Sequence, residues 1–196
     1  MSPLATGRPG RPAAASRADA LALGTRRFLK GERVDVKAIA EELGLARATM
    51  HRWFGTREGF IGEILATLGE RRLLSIREQV SGAGAPALLE CFDRFNHELA
   101  GTTGMRALLA QEHQRALRLM TSSGGVVQPR MVAAIDRLIE GEIAAGAFVS
   151  PVAPQTLAYA IVRLAEAFLY NDAVAGIRGD TERLREVEAA LLGTSP

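Results

Sequence analysis

The chain has little of what enzymes and membrane proteins are usually built from. It carries one cysteine, Cys91, and three histidines, His51, His97 and His113, in 196 residues. A lone cysteine excludes a disulfide within the chain and a zinc site built on cysteines. Glu98 and Glu112 stand beside two of the histidines in sequence, but adjacent helical residues do not share a face. No histidine pair stands at metal spacing, and there is neither a Gly-Ser nucleophile elbow nor a phosphate-binding loop. The sequence therefore reads as no enzyme, and it asks for no cofactor and no metal. No apolar run reaches the roughly 18–20 residues of a membrane span. Arg8 and Arg11 are followed by no apolar segment, so a signal peptide is not expected and a cytoplasmic location is. Strand patterning is missing too. Val, Ile and Thr never alternate with polar residues over a strand length, and apolar residues recur at spacings of three and four. That pattern predicts an all-α chain.

What is present is an uneven charge. Residues 1–60 hold eleven Lys/Arg against six Asp/Glu, a balance of +5, while the remainder holds thirteen against sixteen, a balance of −3. A basic head on a mildly acidic body points to a polyanion as the partner of the head.

Breaks of Gly, Pro and Ser divide the chain into nine expected helices. Residues 1–12, with three Pro and two Gly, read as a flexible basic arm. A first helix is expected over 13–30 with Leu21, Phe28 and Leu29 inward, a second over 36–43 capped by Asp35, and a third over 47–54. A long fourth helix, 56–80, is capped by Thr56 and turns Phe60, Ile64, Leu65 and Leu68 to one side. The rest divides into 86–100, 104–120, 129–146, 154–175 and 181–192, with Pro129 and Pro154 in first turns and Asp180 or Thr181 as the last cap. The expected domains are the arm, a DNA-binding unit over 13–55, and a larger helical unit over 56–196.

The densest signal is residues 36–54. Two helices that cross steeply after a short turn need a small residue at the crossing, a glycine at positive φ, and a shared apolar core. Ala40, Gly44, and the set Ile39, Leu43, Leu45 and Met50 supply all three. The other face of the third helix carries Arg47, Ala48, Thr49, Arg52 and Trp53 and no acid, as a helix entering the major groove requires. Arg47 and Arg52 lie five apart, so one can reach a guanine edge while the other takes a phosphate. Thr49 suits a thymine methyl or a phosphate. Lys37, Thr56 and Arg57 stand at helix starts, where phosphates bind. His51 and Trp53 can bond or pack on the backbone, and for Trp53 core packing with Phe28 and Phe54 is the competing reading. Arg8 and Arg11, in their Gly/Pro frame, fit a narrow minor groove, although a tail with no DNA role accounts for them equally.

On these residues the chain resembles the TetR family of transcriptional regulators. The family pattern reads here as Ile39-Ala40, Leu43-Gly44-Leu45, Met50 to Phe54, Thr56-Arg57-Glu58 and Phe60. His51 stands where the family usually has Tyr, Ala46 where it often has Ser, and Arg57 where it has Lys. The loop after Gly31 is one residue shorter. Val127-Gln-Pro-Arg130 and residues 157–170 further resemble the QsdR-like subgroup, whose namesake regulates a lactonase operon. The resemblance implies a homodimer formed through the last two helices, with Ala158, Ala165, Ala173, Leu184, Val187 and Leu191 packing there. It also implies repression of a double-stranded DNA operator, released by a small, largely apolar effector such as a lactone or a fatty-acid-like molecule.

Helix eight carries a polar row, Tyr159, Arg163, Glu166 and Tyr170, on one face. Either Arg163 and Glu166 pair at an edge or dimer interface, or the row lines an effector pocket. In the second case Phe92, Phe95, Leu108, Leu109, Phe168 and Tyr170 would form the apolar wall. A DNA binder with no effector is the rival reading of the whole chain.

Overall fold

The structure, a computed structural model, describes residues 15–170 and 180–196. Among these residues there are nine α-helices and no strand. The basic arm, and with it Arg8 and Arg11, lies outside the described residues, as does Ala173.

The head begins with α1 (Arg17–Leu29). It starts four residues later than expected, because Ser16 and Asp19 close a reciprocal cap: Ser16 N–H donates to the Asp19 carboxylate at 2.8 Å, and Asp19 N–H donates to Ser16 Oγ at 3.2 Å. Asp35 caps α2 (Val36–Glu42) by accepting from Lys37 and Ala38 N–H. Gly44 takes φ 63°, so the chain reverses into α3 (Arg47–Phe54) at no Cβ cost. Ile39, Ala40 and Met50 are buried, and Leu43 and Leu45 pack partly buried against the same core. Thr56 Oγ1 accepts from Gly59 N–H at 3.0 Å and starts α4 (Arg57–Gln79).

The body is α5 (Gly84–Gly101), α6 (Thr103–Thr121), α7 (Val127–Ala144), α8 (Pro154–Tyr170) and α9 (Thr181–Leu192). Asp180 caps α9, accepting from Arg183 N–H at 3.0 Å. The stretch 171–175 expected in the eighth helix lies outside the described residues. A break that the sequence did not announce sits inside α6, where Glu112 has φ −140° and ψ 45°.

Two apolar cores hold the molecule. One joins α1, α2, α3 and the first half of α4 to residues of α6, α8 and α9, including Met105, Met120, Leu169 and Leu184. The other lies under α5, α7 and α8, around Leu73, Phe92, Ile139 and Leu157. Head and body therefore share buried apolar surface, the dominant favourable term in folding. Close approach is built in at Gly104, whose missing Cβ would lie 2.1 Å from the Phe28 carbonyl oxygen.

Candidate DNA face and effector cavity

On α3 the inward residues are Met50 and Phe54, which leaves Arg47, Ala48, His51 and Arg52 exposed on one contiguous face. Neither Arg47 nor Arg52 enters an ion pair among the described residues, so both guanidiniums are available to a polyanion. The acids nearest in sequence are engaged elsewhere. Arg27 holds Glu42 at 2.5 Å, Lys37 lies 3.7 Å from Glu41, and Arg115 holds Glu58 at 3.1 Å. Thr49 is half-buried. Trp53 is half-buried as well, packed against the head core and edge-on to Phe54 with centroids 6.2 Å apart. Exposed Thr56 accepts with its hydroxyl oxygen to cap α4 and keeps its hydroxyl proton to donate.

Below the head lies a partly open cavity of about 390 Å³, within the range of small-molecule sites. Its wall is mostly aliphatic and aromatic: Leu65 and Leu68 of α4, Phe92 and Phe95 of α5, Met131 and Ile135 of α7, and Ile161 and Val162 of α8. Phe28 and Leu29, the last two residues of α1, also line it, so the head's first helix forms part of the wall. The polar groups are few and placed. Buried Gln128 donates to Glu166 at 3.0 Å and to the Thr121 carbonyl at 3.2 Å. Arg163 adds a contact to Glu166 at 2.7 Å. Burial raises the Glu166 carboxyl above its ordinary range, against the lowering pull of Gln128 and Arg163. Burial likewise raises the Tyr170 phenol. Deeper in, Asn96 donates to the wholly buried Glu188, and burial pushes that carboxyl up to about 8.

A family profile described as "Tetracyclin repressor-like, C-terminal domain" matches residues 83–193. The chain belongs to the TetR family. The structure of the TetR-family transcriptional repressor QsdR from R. erythropolis superposes on it with a TM-score of 0.83 and 28% identity, covering 92% of this chain and 95% of that one. This places the chain in the QsdR-like subgroup. A TetR regulator from Streptomyces coelicolor aligns at 23% identity over 92% of this chain and 99% of its own, and AmtR from Mycobacterium smegmatis at 19% over 96% and 91%. Their TM-scores are 0.44 and 0.42. No curated protein matches in sequence. TetR regulators are non-enzymatic DNA-binding proteins, and no described helix of this one is long and apolar enough to cross a membrane.

In this TetR regulator the two segments that carry the subgroup resemblance meet at the cavity: Gln128 from one bonds Glu166 from the other. Of the nine residues read as effector contacts, Phe92, Phe95, Glu166 and Tyr170 line the wall. Five are placed elsewhere. Tyr159 is 50% exposed, and the Arg163 side chain is 47% exposed while it holds Glu166 from outside the wall. The polar row is one face of α8, but that face passes out from cover between Glu166 and Arg163. Leu109 is buried in the first core and Phe168 packs partly buried against it. Leu108 faces a small cleft beside Arg57 and Glu112 instead.

Arg57 also departs from its expected place at a phosphate. Its guanidinium is spread over both oxygens of Glu112 at 2.8 Å and donates to the Val34 carbonyl at 3.0 Å, which turns its donors inward. Three residues expected at the dimer surface lie inward too: Ala158 and Leu184 are fully buried within the subunit, and Ala165 lines the cavity. Leu29, expected inward, is 49% exposed at the cavity rim.

Sequence reading missed Asn96 and Glu188, although each left a trace. Asn96 follows Leu89 and Phe92 by seven and four residues, and Glu188 sits between Leu184 and Leu192. A polar residue inside an apolar stripe is the signal.

Proposed function

We propose that the protein is a homodimeric repressor that binds a two-fold operator through α3 and is released from it by a small, largely apolar effector held in the body cavity. The observation that carries this reading is the shared wall: the last residues of α1 close a cavity otherwise built by the body. An effector there touches the head directly, so its binding free energy can depend on how the head sits, and differential affinity is what shifts a two-state equilibrium. On DNA, Arg47 and Arg52 read and anchor, with Ala48, Thr49 and His51 between them and the outer edge of Trp53 beside them. Lys37 and Thr56 take phosphates. Arg8 and Arg11 of the basic arm reach the minor groove. The dimer forms through α8 and α9, where Tyr159 and Val187 leave apolar surface exposed. Residues 13–55 act as the DNA-binding unit and 56–196 as the sensing and dimerising unit.

Footprinting of the DNA upstream of its own gene, repeated with a panel of lactones, fatty acids and alkylamines, tests the whole reading. A protected two-fold site that a cavity-binding compound clears is the expected result. Protection unaffected by any compound that raises the protein's melting temperature would leave a DNA binder without an effector.

A further inference from the structure

The cavity carries more acid than base. Among the described residues its wall holds three carboxyl side chains, Glu98, Glu166 and Glu188, and one cation, Arg72. Two of the three are matched. Arg72 pairs with Glu98 through two guanidinium nitrogens, and Arg163 reaches Glu166 from outside.

Glu188 is different. It is 0% exposed, and the Asn96 amide donates to its two oxygens at 3.1 and 3.2 Å. Charged neighbours lie on α5 and α9. Arg185 is 3.0 Å from Asp93 and 3.6 Å from Glu90, so its charge is already shared between two acids. The Asn96 amide is its one hydrogen-bond partner among the described residues, and once ionised the group would have about four lone-pair sites to offer. A cation entering the cavity would meet a carboxyl that no Lys or Arg pairs with among the described residues.

Resting on the reading of this cavity as the effector site, we infer that the effector is an amphiphile with a protonated amine head, its N–H groups donating to Glu188 and its chain lying along Phe92, Met131 and Ile161. A carboxylate head would instead meet three carboxyls and, among the described residues, no cation without a partner. When the ammonium binds, Glu188 gives up its proton to solvent. No covalent bond to the ligand forms or breaks. With the carboxyl raised to about 8 by burial, Asp93 adding to the rise and Arg185 opposing it, close to one proton leaves per ligand bound at pH 7.

The test is isothermal titration of the whole protein with decylamine, 1-decanol and decanoate at pH 7, in two buffers of different ionisation enthalpy. Decylamine is expected to bind tightest, with proton release. Glu188→Gln should weaken decylamine by about tenfold or more, an ion pair lost at a desolvated site, and leave decanol unchanged. Glu166→Gln should weaken decylamine far less, because Arg163 already meets that charge. Equal or tighter binding of decanol or decanoate, decylamine binding without proton release, or no binding by any of the three overturns the inference. If Glu188→Gln does not fold, proton release by the native protein still decides. Decylamine that binds as expected yet leaves operator affinity unchanged would sink the effector reading and leave the ammonium site standing.

Discussion

Gly104 shows how much rests on single atoms at the junction of head and body. A Cβ there would lie 2.1 Å from the backbone oxygen of Phe28, and backbone cannot rotate aside as a side chain can. Gly104→Ala is therefore expected to destabilise by about 1–3 kcal/mol, read as a lowered chemical-denaturation midpoint. An unchanged midpoint would mean that α6 and α1 slide apart at no cost. Glu188 and Glu112 are carboxyls with opposite pH signatures. The Glu188 carboxyl is raised from its ordinary value of 4.5 to about 8, so the folded state keeps a proton that the unfolded chain has lost. Its contribution is fully present below pH 4.5 and is lost as pH rises through about 8. Thermal melts from pH 5 to 8 should show a smaller fall in stability for Glu188→Gln than for the native protein. The Arg57 guanidinium lowers Glu112 to about 2, with Arg115 helping and burial opposing. That contribution is present above pH 4.5 and is lost as pH falls through about 2.

At the scale of elements, α6 is the informative one. Its non-helical residue, Glu112, is the residue Arg57 grips, and Arg57 also holds the carbonyl of Val34, next to the cap of α2. One arginine thus ties the first turn of α4 to the approach to α2 and to the break in α6. Arg57→Met should cost about 2 kcal/mol of stability, the range for hydrogen bonds to charged groups, measured by urea denaturation; a change within error would make the contact incidental. The contrast between α3 and α6 shows what a sequence makes visible. The helix-turn-helix was legible because its constraints are local: a small residue at the crossing, a positive-φ glycine, and core positions fixed by spacing. Helix number followed from Gly, Pro and Ser breaks. The break at Glu112 was not legible, because it answers an arginine 55 residues away. The cavity was half legible for the same reason. Phe92 and Glu166 sit where periodicity puts them, but Arg163 and Glu166 share one face of α8 and differ only in what covers that face.

At the scale of the whole molecule, the proposed repressor needs a basic head on DNA, a cavity that reaches the head's first helix, and a pairing of two chains. Light scattering on a sizing column should give a mass of twice 20.9 kDa, and Tyr159→Glu with Val187→Arg should shift it toward one chain by placing charge in an apolar contact. Monomer at micromolar native protein would remove the two-fold operator from the account. The most direct test of the central claim is fluorescence anisotropy on labelled duplexes tiled across the upstream DNA, comparing the native protein with Arg47→Ala/Arg52→Ala at several salt concentrations. The account predicts one tight, salt-sensitive site, weakened by about 1–3 kcal/mol for each arginine removed, with the fold of the double variant unchanged by circular dichroism. Equal affinity of native and double-variant protein for that site would contradict it.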